Sequence, residues 1–215
     1  MTLLEKIKGQ LIVSCQAEEG FPLNTPHHLA AFAATAVIGG AVAIRASGPE
    51  NILAMQEVLD VPIIGIYKKD YAGFDVRITP TISEVDALIA LGIDMIALDA
   101  TQRPRPDGQT LEQLVLAIRE RSNILLMADV SNLEEGIKAE ALGFDAIGTT
   151  LSGYTDYTPE RSNVDIQLIS ELARIVNIPV IAEGRINTPN DVSAALDARA
   201  HAVVVGSMIT RPHMI

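Results

Sequence analysis

Leu11 to Gly20, LIVSCQAEEG, is a short apolar run that ends in a polar, acidic turn. Leu11, Ile12 and Val13 barely alternate with polar residues, as suits a strand buried on both faces of a parallel sheet. In an open nucleotide-binding sheet the first strand runs into a glycine-rich fingerprint, and none follows Cys15 and Gln16. Seven runs of similar character come later: AVAIRA (41–46), PIIGIYK (62–68), MIALDA (95–100), ILLMAD (124–129), AIGTTL (146–151), PVIAEG (179–184) and AVVVG (202–206). Segments of helical period separate most of them. Eight such units without the fingerprint favour an α/β chain closed as a (β/α)8 TIM barrel over a doubly wound sheet.

Helix starts have local causes. Thr81-Ile82-Ser83-Glu84, Thr110-Leu111-Glu112-Gln113 and Ser131-Asn132-Leu133-Glu134 read as capping boxes. The third leads into Leu133, Ile137 and Ala141 at helical spacing, with Gly143 as the stop. Thr188-Pro189 offers an N-cap with proline at the first helical position, where its missing N–H costs nothing. LGIDMIALDA (91–100) and LGFDAIGTTL (142–151) echo one another as helix end, glycine, aspartate, strand. After the eighth run the chain has no residues for a full helix, so the C-terminal helix is expected to be missing, either because the sequence is cut short or because the barrel is closed by other means.

Composition bounds the partners. The chain has 215 residues with no linker or low-complexity tract, and a single domain over 1–215 is expected. Lys and Arg total 16 against 27 Asp and Glu, a formal net charge of -11, and aromatic residues make up 4%. Nucleic acid and anionic membranes are poor partners for that field, and an anionic small molecule would need a local cationic pocket. One cysteine excludes an intrachain disulfide and fits a reducing compartment. MTLLEKIKGQ is too charged for a secretory signal and no long apolar span follows, so a cytoplasmic location is expected.

The active site of such a barrel lies at the C-terminal ends of its strands. The polar residues there are Ser14, Gln16, Arg45, Lys68, Asp99, Asp129, Thr149, Thr150 and Glu183. Alternation puts Lys68 on the face of Ile64 and Ile66, Arg45 on that of Ala41 and Ala43, and Glu183 on that of Ile181. Lys68 and Glu183 are opposite charges on different strands. They suit an acid/base pair around one cavity better than a structural Lys-Glu ion pair, which stays as the alternative. Asp99 suits a structural role best. A phosphate site is expected after strands 7 and 8, where Gly184-Arg185 and Gly206-Ser207 stand with Arg211 just beyond. Glycine lets the backbone approach an anion, and arginine matches phosphate with a planar fork. His27, His28, His201 and His213 lack metal-ligand spacing, so no metal is expected. Cys15 alternates away from Ser14 and Gln16 and reads as a small buried hydrophobe. The polar stretch 155–163 is either a loop over the site or a plain surface loop.

Taken together, LIVSCQA, AVAIRA, PIIGIYKKDY, ITPT, IALDAT, MADVS, LGFDAIGTTLSGYT, VIAEGRINTP and ITRP resemble the N-acetylmannosamine-6-phosphate 2-epimerases of bacterial sialic-acid breakdown. The resemblance spans essentially the whole chain. It implies a (β/α)8 barrel that interconverts N-acetylmannosamine and N-acetylglucosamine 6-phosphates without cofactor, by deprotonation and reprotonation at C2. Matched by motif, Lys68 and Glu183 take the catalytic positions. Gln16, Arg45, Asp129, Thr150 and Tyr154 take positions expected at the sugar, and Gly184, Arg185, Gly206, Ser207 and Arg211 those expected at the phosphate. A homodimer is expected. The chain departs from the family pattern with Gly206-Ser207 where Gly-Gly is usual, and in stopping soon after ITRP. Two other readings use different residues. A pentulose-phosphate 3-epimerase would need metal-binding histidines and acids at strand ends, and a phosphosugar sensor would have no use for Lys68 and Glu183.

Overall fold

The computed structural model describes residues 2–212; His213 lies outside them. Eight parallel strands close in sequence order, β1 (Leu11–Cys15), β2 (Ala43–Ser47), β3 (Ile63–Ile66), β4 (Met95–Asp99), β5 (Leu125–Asp129), β6 (Ala146–Gly148), β7 (Val180–Glu183) and β8 (Ala202–Val205). β8 pairs with β1 through Leu11 with Val203 and Val13 with Val205, which completes the ring. The expected strands are all present. β3 and β6 are shorter than their apolar runs, so Lys68, Thr149 and Thr150 lie on the loops just beyond them.

The helices are α1 (Leu3–Ile7), α2 (Pro26–Ile38), α3 (Pro49–Gln56), α4 (Ile82–Ile89), α5 (Leu111–Arg119), α6 (Leu133–Ala141), α7 (Ile166–Ile175), α8 (Pro189–Asp197) and α9 (Ser207–Thr210). Seven of them, α2 to α8, follow β1 to β7 and form the outer layer. After β8 the described chain makes only the single turn of α9, and closure of the ring rests on the β8–β1 ladder instead.

Apolar burial falls into two shells. Ile12, Ala43, Ile64, Ile66, Met95, Ala97, Met127, Ile181 and Val204 fill the barrel, while a larger cluster lies between the strands and the helices. Leu3 and Ile7 of α1 join the inner cluster and plug the N-terminal end. The plug is tied down by the His201 ring, 2.7 Å from the Leu4 carbonyl oxygen. Cys15 sits in the outer cluster, fully buried, and burial pushes its thiol up to about 12.

Capping chemistry explains the helix starts. Thr81 with Glu84, Thr110 with Gln113 and Thr188 with Asp191 form reciprocal boxes. α6 corrects the expectation in two ways. Asn132, not Ser131, is its N-cap, and its side chain accepts from the Glu135 amide. The buried face carries Glu135, Gly136 and Ala139, and Ile137 is exposed. A Cβ on Gly136 would lie 2.2 Å from the Leu172 side chain, so α6 packs through its smallest residue, against α7. The anticipated Leu133, Ile137 and Ala141 stripe is displaced by that close approach.

Candidate active site

A cleft of about 620 Å³ opens at the C-terminal ends of the strands. Its walls bring together Gln16, Lys68, Thr150, Tyr154, Glu183, Gly184, Arg185, Gly206, Ser207 and Arg211. These come from the ends of five different strands and the segments that follow them. Arg45 and Asp129 lie beneath the floor, 1% and 0% exposed, and face one another instead of the opening.

Arg45 is the pivot of that floor. Its Nη1 and Nη2 donate to the two oxygens of Asp129 at 3.0 and 2.5 Å, and Nη1 also donates to Glu183 at 2.7 Å. Burial opposes the charge on the guanidinium, but the two carboxylates outweigh it and keep Arg45 protonated. Thr150 completes the set by donating to Asp129 at 2.6 Å. Gly148 makes room for this packing, since a Cβ there would stand 2.3 Å from Met127 Cε and 3.0 Å from both Asp129 Oδ1 and Thr150 Oγ1.

One cation shared by two carboxylates leaves them unequal. Asp129 takes the bidentate grip, and Glu183 keeps one bond. Burial, helped by the negative charge of Asp129 and opposed by Arg45, pushes the Glu183 carboxyl up to about 7. Lys68 moves the other way, to about 8, mainly because the cleft walls crowd its ammonium and next because Arg45 lies near it. Lys68 nonetheless reaches water at the open mouth. That water screens part of the shift, and a ligand displacing it would strengthen the lowering. The two groups converge on neutrality from opposite sides.

The arm between β3 and α4 holds Lys68. Lys68 bridges Ile78 in antiparallel fashion, and the Lys69 amide donates to the Arg77 carbonyl. Thr79, buried with φ 48°, accepts from the Tyr67 amide and donates to the Ala97 carbonyl, tying the residue before Lys68 to β4. The same arm adds Asp75 and Arg77 to the cleft wall, and Arg103, Ser162 and Asn187 also line it. None of the five stands at the end of an apolar run, so alternation gave no signal for them. Asp99, which also lines the cleft, accepts from Thr101 and pairs with Arg103 at 2.6 Å.

The cations of the mouth are not equivalent. Arg77 pairs with Asp70, Arg103 with Asp99 and Arg211 with Glu18. Arg185 instead donates to the carbonyls of Ser152 and Gly153 at 2.6 and 3.0 Å, with its guanidinium 3.8 Å from the centre of the Tyr154 ring. Neutral partners leave its charge uncancelled. Gly184 reaches this turn with φ 103°, which side chains rarely adopt, and Arg185 follows with φ 54°. Gly206 is the N-cap of α9, so the first-turn amides of Ser207 and Met208 have no partner inside the helix. Gln16 donates to Ser14 at 2.7 Å, while its Oε1 is buried without a partner among the described residues. No group of three or more potential metal ligands occurs among the described residues.

Fold and site together define a (β/α)8 barrel whose catalytic end carries a lysine and a glutamate of matched proton affinity beside a cationic turn. Comparison with known proteins narrows that class. A family profile described as "Putative N-acetylmannosamine-6-phosphate epimerase" matches residues 29–215. The chain is 53% identical over 216 residues to the "Putative N-acetylmannosamine-6-phosphate 2-epimerase" of Caldanaerobacter subterraneus subsp. tengcongensis, covering 100% of this chain and 91% of that one. A relative of the same description from Clostridium perfringens strain SM101 is 51% identical, with 99% and 96% covered. The solved structure of the N-acetylmannosamine-6-phosphate 2-epimerase from Clostridium perfringens superposes with TM-score 0.96 at 50% identity, covering 100% of this chain and 93% of that one. The chain belongs to the N-acetylmannosamine-6-phosphate 2-epimerase family. A thiamine phosphate pyrophosphorylase from Pyrococcus furiosus, at TM-score 0.64 and 21% identity, shares the barrel fold alone.

Proposed function

We propose that this chain interconverts N-acetylmannosamine 6-phosphate and N-acetylglucosamine 6-phosphate, with Lys68 and Glu183 as the acid/base pair. The observation that carries the assignment is that these two groups line one cleft with proton affinities displaced toward each other, to about 8 and about 7. In the open-chain sugar the C2 hydrogen is acidified by the C1 aldehyde. Removing it from one face gives an enolate, and returning a proton to the other face inverts C2. Each direction needs one group deprotonated and the other protonated, so the pair must hold a single exchangeable proton.

The remaining residues take supporting roles. Arg185, with Arg211 and the amides at Gly184, Gly206 and Ser207, suits a phosphate dianion. The unpartnered Oε1 of Gln16 suits an N–H or O–H of the sugar. Thr150 and Tyr154 complete the sugar's walls. Arg45 and Asp129 act from below, setting the position and charge of Glu183. The reaction needs no redox step and no cofactor. A cytoplasmic location and a homodimer belong to the same proposal.

The test is incubation with N-acetylmannosamine 6-phosphate in heavy water, followed at C2 by proton NMR. Deuterium entering C2 as the gluco isomer accumulates is the expected result; unchanged substrate would overturn the proposal. Lys68→Ala and Glu183→Gln should each lose at least about a hundredfold in kcat, the ordinary scale of a positioned proton-transfer group. Full activity in both would refute the pair assignment alone.

A further inference from the structure

The loop between β6 and α7 is cinched at its base and tethered at its tip. At the base, Ser152 donates to Asp165 at 2.6 Å, and Arg161 pairs with the same oxygen at 2.8 Å. At the tip, the Tyr157 hydroxyl donates to Glu135 at 2.6 Å. Glu135 is 6% exposed and has no lysine or arginine partner among the described residues. Its charge is met by donors from three loops: the Ser131 amide at 2.7 Å and hydroxyl at 2.8 Å, the Gln102 amide at 3.2 Å, and Tyr157. A buried carboxylate balanced only by hydrogen bonds depends on every one of them.

The tether bears on Arg185. Two of that arginine's donors end on Ser152 and Gly153 carbonyls, and its face lies on Tyr154. Ser152 is fixed by the basal cinch, but Gly153 and Tyr154 lie beyond it, between the cinch and Tyr157. Burial and the neighbouring Glu135 raise the Tyr157 pKa, so the hydroxyl stays a donor. A related contact occurs on the β3–α4 arm, where the Tyr71 hydroxyl donates to the buried Glu84 at 3.0 Å, but there Lys69 also pairs with the carboxylate at 3.3 Å.

We propose that Glu135 and Tyr157 are positioning residues that hold the β6–α7 loop in place and, through Gly153 and Tyr154, aim Arg185 at the phosphate of the substrate. This rests on the phosphate role given to Arg185 above. Tyr157 is partly exposed, so water replaces part of the lost bond, and its removal should weaken the arrangement about threefold to tenfold, the scale of an ordinary hydrogen bond. Tyr157→Phe removes the hydroxyl and nothing else. It should raise KM for N-acetylmannosamine 6-phosphate and the inhibition constant of inorganic phosphate by a similar factor, with kcat within about twofold of wild type. In an Arg185→Ala background the same change should add nothing, because its path runs through the arginine. Tyr71→Phe should leave phosphate affinity unchanged. A KM and phosphate affinity untouched by Tyr157→Phe, or a full further loss in the Arg185→Ala background, would overturn the proposal. Calorimetric titration of each folded variant with inorganic phosphate separates the two claims. If wild type failed to epimerise yet bound phosphate, the proposed activity would fall and the binding ratios would still decide the tether; if wild type bound no phosphate, the tether proposal would fall as well.

Discussion

The acid/base role proposed for Glu183 follows from neighbours that leave its carboxylate short of positive charge. With a carboxyl pushed up to about 7 and an ammonium lowered toward about 8, a lowering that water at the mouth tempers in the free protein, the singly protonated pair dominates only in between. Below about 7 both groups are protonated and no base is present; above about 8 both are deprotonated and no acid is present. The pH dependence of kcat/KM, which reports the free enzyme, should be a bell with those two limbs, the same in both directions of the reaction. A profile lacking the acidic limb near 7 in wild type would sink the shared-proton scheme. Asp129→Asn removes a negative charge beside Glu183 and frees Arg45 to grip it, so the acidic limb should move to lower pH. The change also leaves Arg45 poorly balanced in the interior and should cost about 3 kcal/mol of stability, measurable by denaturant unfolding.

At this scale the sequence was only partly legible. Alternation from Ala43 puts Arg45 on the inward face of β2, and carried past the end of β3 it also puts Lys68 at the mouth. How far Arg45 reaches was not readable. That depends on Gly148 and Asp129, far away in the chain, leaving a pocket of the right depth below the cleft. Likewise, nothing in GR of VIAEGRINTP says that Arg185 would first find the carbonyls of Ser152 and Gly153.

Elements were read more easily, because each rests on local causes. Apolar runs marked all eight strands, and threonine caps marked α4, α5 and α8. The miss at α6 arose because its packing is set by a glycine against Leu172 of α7, a contact invisible to the helix's own periodicity. The plug helix α1 was also missed, as five residues are too few to show a helical period. Its worth can be measured. Ile7 is fully buried in the barrel's inner cluster, so Ile7→Ala should cost about 2–4 kcal/mol by the usual scale for large-to-small core changes. Thermal unfolding should show a fall of roughly 5–15 °C at this chain length. A change below a degree would mean the plug does not contribute to the core.

For the whole molecule, a net charge of -11 surrounds a mouth that, under the proposed function, needs a local field cationic enough to hold a phosphate. Anion binding at Arg185 should therefore show as stabilisation. At a concentration about a hundredfold above Kd, substrate or inorganic phosphate should add roughly 2.7 kcal/mol to unfolding, read as a Tm increase of roughly 5–10 °C. Arg185→Ala should lose most of that increase. Retention of the full shift would move the phosphate site elsewhere.

The single cysteine gives the chain an internal clock. Cys15 is sealed between sheet and helices with its thiol held in the unreactive form, so an alkylating reagent cannot modify it while β1 and its covering helices stay together. Each modification then records one excursion out of the native state, and the labelling rate in dilute reagent gives the opening equilibrium of the barrel directly, with no denaturant and no added probe.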